Sequence, residues 1–403
     1  METKSNYNRS AWVLMISAAA ILAITMGARQ STGLFVSPLD KSTGLGIVSI
    51  SFALAVGQFI WGLAQPIFGA IADKRGPKQV IIIGALMLAA GLALTPFVTS
   101  KWGIILTLGI LSAAGAGAGS FSIMIGATSS QLPPEKRAFA GGFINAGGSF
   151  GQFIFAPFLQ VLISGFGWVA AMLTMAATTL CTIPLASLIS SGVVVDKPET
   201  SKKSKGLIEQ VRRAMVDRSY LCLHAGFFTC GFHVAFLVTH LPGEVALNGH
   251  SASVSAASLS IIGLFNIAGS LFAGYLGARF RMKYILSIMY GSRAVMILLF
   301  LLAPKTLLTF YIFAAALGFT WLATVPPTAG LVGKLFGTRY MATLFGLTLL
   351  THQIGGFLGA WLGGIAVSHD GSYQWMWYAD MALASAAALV NLPIRESKVL
   401  IRL

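Results

Sequence analysis

The feature that most constrains this 403-residue chain is a succession of apolar runs, each long enough to cross a bilayer. A spanning helix needs roughly 20 apolar residues. Runs of that length lie near residues 11–38, 47–71, 79–98, 102–127, 138–163 and 167–191, then 219–241, 251–277, 284–303, 306–331, 341–367 and 373–394. Hydrocarbon offers no partner to a backbone N–H or C=O, so each run must satisfy its own hydrogen bonds as a helix. With 56% hydrophobic residues, 10% charged ones and a mean hydropathy of +0.80, a soluble enzyme is excluded. The expected fold class is an all-α, multi-pass membrane protein of twelve transmembrane helices.

Charge sets the expected orientation. The formal net charge of +15 and pI near 10.0 would suit a nucleic-acid binder. The basic residues, however, sit in short connections between apolar runs, which the positive-inside rule explains without nucleic acid. With the N-terminus in the cytoplasm, cytoplasmic segments hold 22 of the 27 Lys and Arg residues. The opposite loops hold three, Lys41, Lys101 and Lys305. Both termini are therefore expected to be cytoplasmic. The basic stretch before Trp12 has the form of a signal-peptide n-region, but the long run behind it reads as an uncleaved first helix.

The remaining two basic residues, Arg29 and Arg293, lie inside apolar runs. A charge at mid-membrane depth costs at least about 2.5 kcal/mol on insertion scales, so an intramembrane arginine is a functional candidate by default. The stretch holding Arg29 also has a counterpart later in the chain. Thr25, Gly27 and Pro38 match Thr229, Gly231 and Pro242 at an offset of 204 residues, which puts Arg29 opposite His233. Gly69, Asp73, Lys74, Arg75 and Gly76 after the second run are echoed by Gly274, Ala278, Arg279, Arg281 and Lys283 after the eighth. Arg137, Phe139, Ala140 and Gly142 face Arg339, Met341, Ala342 and Leu344 in the same way. Two related halves follow: six helices over 1–191, a polar cytoplasmic linker over 192–218, and six helices over 219–403. The linker residues 202–218 carry Leu207, Ile208, Val211 and Met215 at helical spacing, as either an amphipathic surface helix or a tether.

The loop from Gly69 to Gly76, a glycine and an aspartate followed by basic residues after the second of twelve helices, resembles the signature loop of the major facilitator superfamily. That resemblance implies two six-helix bundles related by an axis along the membrane normal, with substrate bound between them near mid-depth. It gives Asp73, with Gly69, Lys74, Arg75 and Gly76, a gating role at the cytoplasmic side. In the second half the position of that acid is held by Ala278. The family arrangement also makes the first, fourth, seventh and tenth helices line the cavity, which places Arg29 and His233 on its two most central helices. The ninth and twelfth helices are expected to be peripheral neighbours, so Arg293 and Asp380 are assigned to each other as a structural ion pair. Arg29 is then left without an acid, and its planar fork matches a carboxylate. The alternative for Arg29 is hydrogen bonding to helix carbonyls, Gln58 or Gln152. His233 is either a neutral hydrogen-bonding group or a carrier of a coupled proton.

Further cavity candidates are Gln30, Gln58, Asn145, Gln152, Phe236, Asn266, Tyr311, Trp321, His352 and Gln353. The run Gly355, Gly356, Gly359, Gly363 and Gly364 suits close helix packing. One fixed cation among apolar and aromatic neighbours suits a small organic anion, whereas a sugar site needs more hydrogen-bonding groups. Cys181, Cys222 and Cys230 all lie in apolar segments and form neither a disulfide framework nor a metal spacing. No phosphate-cradling loop or hydrolytic constellation appears, so no enzymatic activity, cofactor or metal is expected.

Within the family the chain resembles bacterial members related to monocarboxylate and oxalate/formate carriers. The expected function is a monomeric secondary active transporter of the bacterial inner membrane, taking up a small organic anion with protons by alternating access. Its fifth helix, with Gly147, Gly148, Gly151 and Pro157, lacks the run that marks drug antiporters of this family. Efflux by the same fold, or ligand sensing without flux, remain the alternatives.

Overall fold

A computed structural model describes residues 2–129, 131–132, 134–189, 207–337 and 341–396. Within them the structure is helical throughout. The first span is α1 (Glu2–Gln30), a 3-10 turn (Thr32–Phe35) and α2 (Val36–Thr43); the next two are α3 (Ile47–Arg75) and α4 (Pro77–Leu94). The fourth comprises α5 (Lys101–Ile104), a π-helical stretch (Ile105–Ser112), α6 (Ala113–Ala118) and α7 (Phe121–Ser129). Then come α8 (Pro134–Leu180), α9 (Thr182–Leu188) and α10 (Leu207–Ala214). The second half contains α11 (Arg218–Leu247), α12 (Ala252–Arg279), α13 (Met282–Leu302), α14 (Leu307–Thr320), α15 (Val325–Phe336), α16 (Met341–Asp370) and α17 (Gln374–Val390).

Nine segments among the described residues are long and apolar enough to cross a membrane. One of them, Ala140–Leu188, contains two helices that meet at Gly167 (φ +84°). With α16 and α17 the chain supplies the twelve expected spans. Trp102, Phe166 and Leu302 stand exposed on the outer surface, at the ends of their spans.

Three departures from the expected spans bear on function. The first span is not one helix: α1 stops at Gln30, directly after Arg29, and the chain turns before α2. Its sequence counterpart α11 is continuous through Pro242 to Leu247, so the two halves differ in shape where they agree in spacing. The longer α11 also takes Glu244 into the interior, as a second acid beside Asp380 within the spans. The tenth span breaks between α14 and α15, where Pro326 and Pro327 supply no N–H to the preceding turn. In the linker, the described part folds as α10, while residues 190–206 lie outside the described residues.

The glycine run of α16 packs as expected. A Cβ on Gly355 or Gly359 would fall 2.0 or 2.2 Å from the Phe228 or Phe232 carbonyl of α11, and one on Gly364 would fall 2.6 Å from Ser51 of α3. These small residues bring backbones together where no hydrophobic driving force between helices exists. The two bundles meet along α3 and α16 and along α8 and α12. They also meet at Gly33, which approaches the α11 carbonyls of Val238 and Thr239 and closes the end of the molecule where α3 begins.

Candidate substrate and coupling site

Arg29 ends α1 at the junction of the bundles. One guanidinium nitrogen donates to Gln58 Oε1 at 2.7 Å, and the group lies over the Trp61 ring at 4.3 Å. No Asp or Glu among the described residues pairs with it. Both partners come from α3, whose helical spacing puts Gln58 and Trp61 on one face. That face meets α16: Gln58 lies against Gly356, and Gly62 against Gln353. The sequence candidates Arg29, Gln58 and Gln353 are thus drawn to one seam. Trp61 was missed by the sequence reading. Its i+3 relation to Gln58 was the signal available, and its buried Nε1–H has no hydrogen-bond partner.

Asn145 and Asn266 are used otherwise. Asn145 Nδ2 donates to Ser270 Oγ at 2.8 Å, Asn266 Nδ2 donates to Ser149 Oγ at 2.7 Å, and Asn266 Oδ1 accepts the Leu322 backbone N–H at 3.0 Å. This network ties α8 to α12 and to the broken tenth span. Gln152 is buried nearby with Nε2 unpartnered, Gln30 is buried at the end of α1, and Tyr311 is half-buried on α14.

His233 turns away from Arg29 and into its own bundle. Its Nδ1 lies 2.5 Å from Asp380 Oδ2 of α17, and its ring contacts the Trp321 indole at 5.7 Å. Phe236 likewise packs on Trp377 and Tyr373. His352 Nδ1 is bonded to Gln353 Nε2 at 2.8 Å, and its ring lies against Phe227.

The expected Arg293–Asp380 ion pair is not formed. Arg293 instead donates to the carbonyl oxygens of Thr320 and Trp321, with Cys230 Sγ at 3.5 Å. The reason is the break in the tenth span. Its last α14 carbonyls lack helical N–H partners, and a planar guanidinium with several donors satisfies two at once at the negative end of a helix. Asp380, released from that pairing, takes His233.

At the opposite end, Gly76 closes α3 and opens α4 with φ +87°, a conformation that favours glycine. The side chains of Asp73, Lys74 and Arg137 and all of Arg339 lie outside the described residues. In the second half, where the family's acid is missing, Glu396 reaches the start of α13 from beyond α17. Its carboxylate accepts the N–H groups of Met282 and Lys283, both at 3.1 Å, and pairs with Lys334 Nζ at 2.8 Å. It thereby caps α13 and ties it to the end of α15.

Twelve spans in two bundles, an intramembrane cation at their junction and a glycine-closed loop after the second span agree with a family comparison that matches the Major Facilitator Superfamily model over residues 18–360. The chain belongs to that superfamily. It is 25% identical over 393 residues to monocarboxylate transporter 13 of Rattus norvegicus, covering 95% of this chain and 89% of the relative. It is also 25% identical over 364 residues to the oxalate:formate antiporter of Oxalobacter formigenes, covering 89% and 86%. A bacterial homologue of the human lysosomal transporter Spinster, solved inward-facing and unoccupied, matches 96% of the chain with a TM-score of 0.66 at 14% identity, a likeness of fold. This superfamily chain is a membrane transporter and not an enzyme.

Proposed function

We propose that this transporter moves a small organic anion of the carboxylate class inward together with protons, across a bacterial inner membrane and as a monomer. Arg29 is its anion anchor. The observation that carries this reading is Arg29 itself, a cation at the bundle junction with one amide partner, an aromatic platform and no acid among the described residues. Such a group retains N–H donors for a carboxylate, and the indole beneath it favours the cation without neutralising it. The names of the two carboxylate-related relatives support the same substrate class. The excess of basic residues on one side supports cytoplasmic termini, so that the end closed at Gly33 is the outer one. Transport then follows from rocking of the bundles 1–191 and 219–403 about the α3/α16 and α8/α12 seams, joined by the linker 192–218. Gly69, Asp73, Lys74, Arg75 and Gly76 gate the inner end.

The test is uptake of labelled small carboxylates into proteoliposomes, with and without an inward proton gradient, for the wild type and Arg29→Gln. Gradient-driven accumulation of one acid that Arg29→Gln abolishes supports the proposal. Gradient-independent uptake, or expulsion of neutral or cationic amphiphiles, refutes it.

A further inference from the structure

A second buried charge cluster lies wholly within the other bundle, on α11, α13, α17 and the broken tenth span. The His233 and Asp380 side chains that meet at 2.5 Å are essentially unexposed. Three atoms of the group have no hydrogen-bond partner: His233 Nε2, Asp380 Oδ1 and Trp321 Nε1. One turn earlier on α11, Cys230 receives Arg293, whose other guanidinium nitrogen holds the Thr320 and Trp321 carbonyls. One acid and one arginine thus share an interior without touching. Both end on Trp321, the acid through the His233 ring and the arginine through the peptide oxygen.

We propose that His233 and Asp380 together bind the transported proton at a site separate from the Arg29 anchor, and that Trp321 and Arg293 transmit its charge to the break in the tenth span. The inference rests on the proton-coupled reading above and assigns that proton a place. With His233 neutral and Asp380 ionised, Arg293 balances the cluster. One further proton, bonding to a lone pair of His233 Nε2 or Asp380 Oδ1, leaves a net positive charge in an unexposed space. An unbalanced buried charge is costly. The proton is therefore held only while an anion occupies the transporter or while the pair is turned towards water, so proton and anion travel together.

The groups facing the pair do not relieve that charge. Arg293 and Tyr290 come from α13 and His352 from α16, all grouped around Cys230. The tenth span contributes uncharged Trp321 and Thr324. Farther along α11, His240 is bonded to the Ala360 carbonyl and Glu244 to Trp377.

Asp380→Asn, compared with wild type in the same proteoliposomes, tests the site. Gradient-driven accumulation is expected to fall at least about tenfold more than substrate exchange, which needs no net proton movement. Gradient-driven accumulation in wild type that persists in Asp380→Asn overturns this inference and leaves the proposed function standing. Wild-type uptake that ignores the gradient refutes both. Should Asp380→Asn fail to fold, tryptophan emission of the wild type decides, because a protonated imidazole quenches an indole in ring contact. A pH-dependent component that disappears in both Trp321→Phe and His233→Gln supports the site. Emission independent of pH, or a component that survives in either variant, overturns it.

Discussion

The close approach of the two bundles at Gly33 leads to a quantitative prediction. A Cβ at this position would fall 1.9 Å from the Val238 carbonyl oxygen, whereas ordinary contact begins at 3.4 Å. The obstacle is helix backbone, so Gly33→Ala has to push the Thr32–Phe35 turn and α11 apart by about 1.5 Å if it is to relax, the scale on which packed interfaces switch arrangement. Overpacking of this kind costs about 1–3 kcal/mol. Because the clash exists only when this end is closed, the cost acts on one conformation and shifts the equilibrium about 5- to 150-fold towards the state open there. Spin labels at Lys41→Cys and Asn248→Cys, with Cys181 and Cys222 replaced, report the separation of α2 and α11 by pulsed electron resonance. The longer-distance population is expected to grow in Gly33→Ala. It is expected to stay unchanged in Gly126→Ala, where an added Cβ meets nothing within 4 Å. A well-expressed Gly33→Ala protein with the wild-type distance distribution would refute the reasoning.

Other predictions follow from the polar contacts. Lys334 is partly exposed and Glu396 is not, so their pairing energy in a double-mutant cycle of Lys334→Gln and Glu396→Gln is expected near 1 kcal/mol. Glu396→Gln alone is expected to cost more in thermal stability than Lys334→Gln, because it also weakens the cap on α13; equal losses would count against the cap. Asn266→Ala deprives the Leu322 N–H of its acceptor, while Ser149 loses a donor but still donates to the Asn145 carbonyl, at about 1–3 kcal/mol for the orphaned N–H. Its expected effect is a lower melting temperature and slower turnover, with KM little changed. A rise in KM alone would return Asn266 to the substrate site.

Much of the fold was legible because lipid makes a simple demand. Apolar runs of spanning length must be helices, and the spacing of Arg29, Gly69–Gly76 and their echoes gave two related halves. Arg29 as an intramembrane cation without an acidic partner among the described residues was also readable, since the chain holds few acids and none within residues 11–38. What could not be read was direction around each helix axis. His233 and Arg29 hold equivalent positions in sequence, yet the first span breaks beside Arg29 and exposes it to the junction. The continuous α11 turns His233 onto Asp380. Asn145 and Asn266 were placed on plausible helices, but their neighbours Ser149 and Ser270 engage them in a network between the bundles.

The pairing of Arg293 shows where sequence reasoning stops. Charge and depth alone join it to Asp380. Whether a guanidinium prefers a carboxylate or two orphaned carbonyls depends on where a neighbouring helix breaks, and Pro326 and Pro327 hint at that break without fixing which carbonyls face Arg293. Glu396 is similar: the loss of the acid at Ala278 is visible in sequence, but that the start of α13 is capped by a carboxylate more than a hundred residues away is not. The sequence by itself determined the spans, the halves, the superfamily and the unpaired cation, because each follows from composition and spacing against a uniform apolar solvent. Only the tertiary structure decided the partner of each buried charge, because pairing depends on helix rotation and on local breaks in helical hydrogen bonding, which residues distant in sequence set together.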